Sequence, residues 1–196
     1  MSEIPEAIRE QVITELYRQA DELNWELLPA SKKKRQYQEW IEDPRVGGVL
    51  REFFDDHRMS TWIKDTPMKE YARAQEGFGS TAKYARSRFP APAVLIRQAL
   101  GTEWTIVPNS VDDKPMHCLA ARGESIRYVC WGRPNTFRDL IWAALNKAIV
   151  MSERPLVIVT EQDGITVSAN ERATQAAIAE HCGLDLTHIH RRLQRV

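Results

Sequence analysis

The sequence predicts an α+β fold: a helical N-terminal part, a central α-β-β-β-α-β mixed sheet and a C-terminal pair of helices. Three observations carry this reading. Apolar residues recur at steps of four and seven at the start of the chain, alternating and β-branched runs take over after Pro90, and a glycine-punctuated apolar pattern returns after Thr174. The domains expected from these shifts cover 1–90, 91–168 and 169–196.

In the helical part, Ile4, Ile8, Val12, Leu16 and Leu23 fall on one helix face that begins near Pro5, a residue suited to a first turn. A second helix is expected from Ser31 as N-cap through Tyr37, Trp40 and Ile41 to just before Pro44. Its first turn holds Lys32-Lys33-Lys34-Arg35, where the helix dipole disfavours cations; a negatively charged partner or a solvated face both account for that run. Val49, Leu50, Phe53 and Phe54 predict a third helix, and Trp62, Ile63, Met68 and Tyr71 one or two short ones around Pro67. Gly77-Phe78-Gly79-Ser80 reads as a loop without a phosphate-binding context.

Beyond Pro90, residues 92–100 form a helix ended by Gly101, and strands are expected over 103–108, 116–121 and 125–131. Arg122-Gly123-Glu124 marks a hairpin between the last two. A helix over 135–151 directs Phe137, Leu140, Ile141, Ala144, Leu145 and Ala148 inward, and Leu156-Val157-Ile158-Val159 has the continuous apolar character of a strand covered on both faces.

Composition narrows the function. The 196 residues are 43% apolar and 28% charged, with 27 basic against 27 acidic side chains, so neither a polybasic arm nor an acidic tail describes the whole. The balance conceals segments. Glu3, Glu6, Glu10, Glu15, Asp21, Glu22 and Glu26 make the first helix acidic, whereas Lys64, Lys69, Arg73, Lys83, Arg86, Arg88 and Arg97 make residues 64–100 basic and interleave with Tyr71, Phe78, Tyr84 and Phe89. Cys118, Cys130 and Cys182 form no CxxC pair and no disulfide framework, which points to a cytoplasmic location. No apolar run approaches the roughly 18 to 20 residues of a membrane span, and the acidic start Met1-Ser2-Glu3 is unlike a signal peptide.

The segment Thr174 to Leu193 resembles a DNA-binding helix-turn-helix. Ala179 is small where a second helix crosses, Gly183 allows the turn four residues later, and Ile178, Cys182, Leu184, Ile189 and Leu193 occupy the packing positions. The resemblance implies a recognition helix from Asp185 or Leu186 to Leu193. Thr187, His188, His190 and Arg191 would then meet base edges, and Arg192 and Arg195 phosphate. A helix pair with a glycine turn is also an ordinary packing unit.

The α-β-β-β-α-β order resembles the core of the PD-(D/E)xK nucleases, in which strand acids hold a divalent metal and a lysine assists the attacking water. Asp112-Asp113 precedes the second strand and Glu124 the third, but Arg127 stands where a lysine would be needed and is a poor proton-transfer group. Arg51 and His57 resemble the R-x(4-6)-H pair of HEPN ribonucleases; a helix-end arginine and a solvent histidine give the same spacing. His181, Cys182, His188 and His190 lack zinc-finger spacing, and Cys130 has no assignable base. Six tryptophans, Trp25, Trp40, Trp62, Trp104, Trp131 and Trp142, supply core area, with one or two available to stack on unpaired bases.

Together these readings predict a DNA-binding protein, a regulator or mobile-element accessory factor, acting as a homodimer because one helix-turn-helix reads a half-site. The competing classes are a metal-dependent nuclease and a protein-interaction module that engages a partner through the acidic first helix. No catalytic residue, cofactor or metal ligand is assigned, and no membrane partner is expected.

Overall fold

The computed structural model describes residues 4–195, so the acidic start Met1-Ser2-Glu3 lies outside the described residues. The chain forms two compact units. The first runs to Phe89 and takes back the chain from Leu193, and the second spans Pro90–Arg192. Basic and acidic side chains are equal in number in each unit, so the overall neutrality is repeated within both.

The first unit is built from α1 (Glu6–Glu22), α2 (Ala30–Glu42), the single turn α3 (Gly47–Leu50), α4 (Asp56–Asp65) and α5 (Pro67–Gln75). The apolar spacing of α1 buries Val12, Ile13, Leu16, Tyr17 and Ala20, while Leu23, just beyond the helix, is exposed. Helix α2 starts one residue before Ser31, with Pro29 at its cap and no side-chain cap, because proline's fixed φ already suits a helix start. Helix α4 does have a side-chain cap: the Asp55 carboxylate accepts from the Arg58 N–H. Trp25 and Trp40 stack at 5.0 Å with Tyr37 edge-on to both, and Gln19 accepts the Trp40 indole N–H. The buried Tyr17 hydroxyl sits 2.9 Å from the Pro67 carbonyl and 2.8 Å from the Thr81 hydroxyl; burial pushes it up to about 12, so it stays protonated and able to donate. A two-residue strand β1 (Ser87–Arg88) closes the unit.

The second unit is a five-strand path with helices on both faces. In chain order it comprises α6 (Pro92–Leu100), β2 (Thr105–Ile106), β3 (Asp112–Asp113), β4 (Met116–Arg122), β5 (Ser125–Gly132), α7 (Phe137–Ala148), β6 (Leu156–Glu161), α8 (Ala169–His181) and β7 (Asp185–His190). The sheet order is β2-β4-β5-β6-β7, with β3 paired to the start of β4. Strands β2, β4 and β5 alternate antiparallel, and β5, β6 and β7 run parallel. Alternation sorts the side chains. Cys118, Ala120, Val129, Trp131 and Ile158 pack under Leu95 and Ile96 of α6, whereas Tyr128, Cys130 and Val157 pack under Leu140, Ile141 and Ala144 of α7 and Ala179 of α8. A final strand β8 (Gln194–Arg195) pairs antiparallel with β1 in the first unit. The α+β class read from the sequence is the class observed, and no helix among the described residues is long and apolar enough to cross a membrane.

One expectation is corrected. The segment after Gly183 is strand β7 and not a helix. Gly183, at φ +66°, ends α8 in a Schellman motif: its N–H donates to the Glu180 carbonyl and the Leu184 N–H to the Ala179 carbonyl, with Leu184 and Ala179 buried together. That motif stops a helix whatever follows. All six residues of β6 are buried, so both of its edges need partners, and a helix at 185–193 would leave one edge unpaired. Residues 169–192 therefore belong to the sheet unit, with α8 covering it and β7 completing it.

Glycine tests the packing of the helical unit. A Cβ on Gly47 would overlap the Ile41 carbonyl oxygen at the end of α2, whereas one on Gly48 meets nothing closer than 3.7 Å. Gly47→Ala is expected to destabilise by about 3 kcal/mol and Gly48→Ala to change stability by about 1 kcal/mol or less, both read from urea unfolding.

Candidate functional site

The six residues expected to read DNA are distributed differently from a helix face. On β7, Thr187 shares the face of Ile189, which packs toward α6, while His188 and His190 alternate to the other face. Arg191 is 5% exposed; its N–H donates to the Glu161 carbonyl and its guanidinium to the Pro90 carbonyl. Arg192 is exposed beyond the sheet, and Arg195 lies on β8 in the other unit. The structure thus brings together only His188 and His190 as neighbours on one face.

Those two histidines border a polar network at the carboxyl ends of β6 and β7. Glu161, the last residue of β6, is buried, with Arg172 of α8 2.6 Å from its carboxylate and the Val167 N–H donating at 3.3 Å. Gln175, one turn further along α8, accepts from His188 Nε2 at 2.8 Å and donates to Glu171 at 3.4 Å. The His188 imidazole is held below its ordinary value, first by burial and then by the Arg172 charge, against smaller opposing effects of Glu161 and Glu171. His190 meets Asp163 at 3.1 Å. Each polar group here has a protein partner, and the network ties the 162–168 loop and the head of α8 to the sheet.

The acids considered for a metal stand apart. Asp113 pairs opposite Met116 at the start of β4, and Glu124 sits in the turn after Arg122 at its far end, about 20 Å away at roughly 3.3 Å per residue. Arg127 is engaged with Asp185 across β6 and with the Arg154 carbonyl. Positions along the facing stretches of β4 and β5 are filled by buried Cys118, Ala120, Val129 and Cys130, and burial pushes both thiols up to about 12, which leaves them protonated at neutral pH. Arg51 bonds the Ile41 carbonyl and pairs with Asp56, while His57 is exposed. Among the described residues, no three His, Cys, Asp or Glu side chains are grouped so as to hold a metal.

A second feature was not singled out by motif. The turn between β3 and β4 and the outer side of α7 border an open groove of about 640 Å³, lined by Lys114, Pro115, Arg138, Asp139, Trp142 and Asn146. Trp142 is 67% exposed, whereas Trp104 and Trp131 in the same unit are buried. Because Leu140, Ile141 and Ala144 turn inward, the 3.6-residue period places Arg138, Trp142 and Asn146 outward in one row. That signal was present in the sequence, since Trp142 falls outside the inward set.

Comparisons of this chain with protein-family models, with curated proteins and with solved structures find no match.

The His188 environment has a pH consequence. With its folded value lowered, the unfolded chain binds the proton more readily. The stability this group contributes is complete above the ordinary imidazole value of about 6.5 and is lost as pH falls through that value toward the folded one. The difference in urea stability between wild type and His188→Gln should therefore shift against wild type as pH is lowered from about 7.5 to about 5.5.

Proposed function

We propose that the protein binds nucleic acid without cleaving it, in a regulatory or accessory role, and that the contact lies in the α7 groove of the second unit rather than on β7. The observation that carries this reading is the exposed Trp142 indole with two exposed cations, Lys114 and Arg138, on the same groove. Cations supply attraction to phosphate, and a flat ring supplies a surface for a base. Asp139, 3.4 Å from Arg138, pairs with it only in solvent, where an ion pair contributes little and a phosphate can take its place. The order of the unit, α-β-β-β-β-α-β-α-β, contains the αβββαβ order of a nuclease-like scaffold with β3, α8 and β7 added, and its separated acids favour binding over cleavage.

With so few cations in the groove and no net charge on the unit, affinity should be modest and sensitive to salt. Binding of labelled DNA, followed by fluorescence anisotropy at about 50 mM salt, is expected to weaken at least about tenfold in a Lys114→Glu, Arg138→Glu variant, with the salt slope reduced by about 2. An Arg192→Ala, Arg195→Ala variant should bind as wild type. Incubation of plasmid DNA with magnesium or manganese should give no cleavage, and an Asp113→Ala, Glu124→Ala variant should bind like the parent. Unchanged binding by the charge-reversal variant would remove the groove from the interface.

A further inference from the structure

The groove also bears on which form of nucleic acid is bound, an inference that rests on the nucleic-acid reading above. We infer that it takes unpaired nucleotides, with one base stacked on the Trp142 ring, neighbouring phosphates on Lys114 and Arg138, and the Asn146 amide within reach of a base edge. Three observations converge. First, the indole is two-thirds exposed on a helix that is itself fixed, since Leu140, Ile141 and Ala144 of α7 are held in the core against Tyr128, Cys130 and Val157. A ring on a fixed support loses little freedom on stacking, and any base offers it a face.

Second, the site is concave. Reading a duplex in its major groove requires a protruding helix or ribbon that enters the groove, because the base edges lie recessed between phosphate ridges. Here the helix is seated on the sheet, and its exposed residues border a hollow between α7 and the Lys114-Pro115 turn. A hollow of about 640 Å³ falls in the range of about 300–1,000 Å³ usual for small-molecule sites. It accommodates a splayed base with its sugar, which a stacked pair within a duplex cannot present.

Third, the groove that holds the ring carries two cations against one carboxylate. Lys114 comes from the β3–β4 turn and Arg138 from one helical turn before Trp142, with Asp139 beside Arg138 in solvent. Asn146, one turn after Trp142, is exposed and supplies both a donor and an acceptor. The row continues to Ile149 and Val150, 82% and 75% exposed, which by themselves would equally suit a protein surface. The cations beside the ring favour a polyanion.

The experiment compares an oligothymidylate of about ten nucleotides with a duplex of the same length, by anisotropy, for the full chain and for Trp142→Ala, Trp142→Phe and Trp142→Leu. All three substitutions are at an exposed position, and circular dichroism checks that each variant is folded. The expected result is single-strand binding at least about tenfold tighter than duplex binding, a loss of about tenfold or more in Trp142→Ala and Trp142→Leu, and near-full retention in Trp142→Phe. Duplex and single strand bound equally, with Trp142→Ala unchanged, would overturn the stacking inference while leaving nucleic-acid binding standing. Absence of binding to either form would overturn both. Concentration-dependent self-association abolished by Trp142→Ala, without nucleic-acid binding, would assign the row to a second copy of the chain and overturn both as well.

Discussion

Strand β6 lies at the centre of the demands that shape the second unit. Its six residues are buried, so every N–H and C=O along it must find a protein partner, and neither edge can be left to water. Strand β5 answers one edge and β7 the other. The faces are answered in turn by α6 and by α7 with α8, because Ile158 and Val157 point to opposite sides. Ion pairing follows the same lines. Arg127 of β5 reaches Asp185 of β7 across the start of β6, and Glu161 at its end is held by Arg172. An apolar run of four residues thus dictates what its sequence-distant neighbours must be.

That dependence explains which parts of the chain were legible. Helices α1, α6 and α7 and strands β4, β5 and β6 follow from periodicity and from glycine and proline punctuation, since each satisfies its own local pattern. Strand β7 does not. Leu184, Leu186, Ile189 and Leu193 have spacings that a helix can use, and Gly183 stops α8 in a conformation that leads into a helix or a strand alike. What decides the outcome is the unmet edge of β6, a requirement located some thirty residues earlier in the chain and invisible in a local window. The acids weighed for a metal are separated for a similar reason. Asp113 and Glu124 are close in sequence, but a hairpin strand between them sends them to opposite ends.

The groove was half legible. The inward set of α7 left Trp142 on the outside, which is information about one helix; that Lys114 stands beside it depends on the β3–β4 turn reaching the same helix. Charge counting by segment was less informative than it looked. Lys83 of the basic stretch pairs with Glu6 of the acidic first helix, Arg73 pairs with Glu70 on its own helix, and each unit carries equal numbers of basic and acidic side chains, so the segment excess is balanced within the unit. The two cations of the groove, Lys114 and Arg138, lie outside that basic stretch, in a unit whose charges balance.

The pairing of β1 with β8 makes the second unit an insertion within the first. Arg88 stands opposite Gln194, so the chain leaves the helical unit and returns to it at adjacent points. A two-residue turn of the Asn-Gly kind joining those strands is all that the geometry of a hairpin requires. The helical unit is thus discontinuous in sequence and closed in hydrogen bonding, its two pieces joined by the strand pair on either side of residues 90–192.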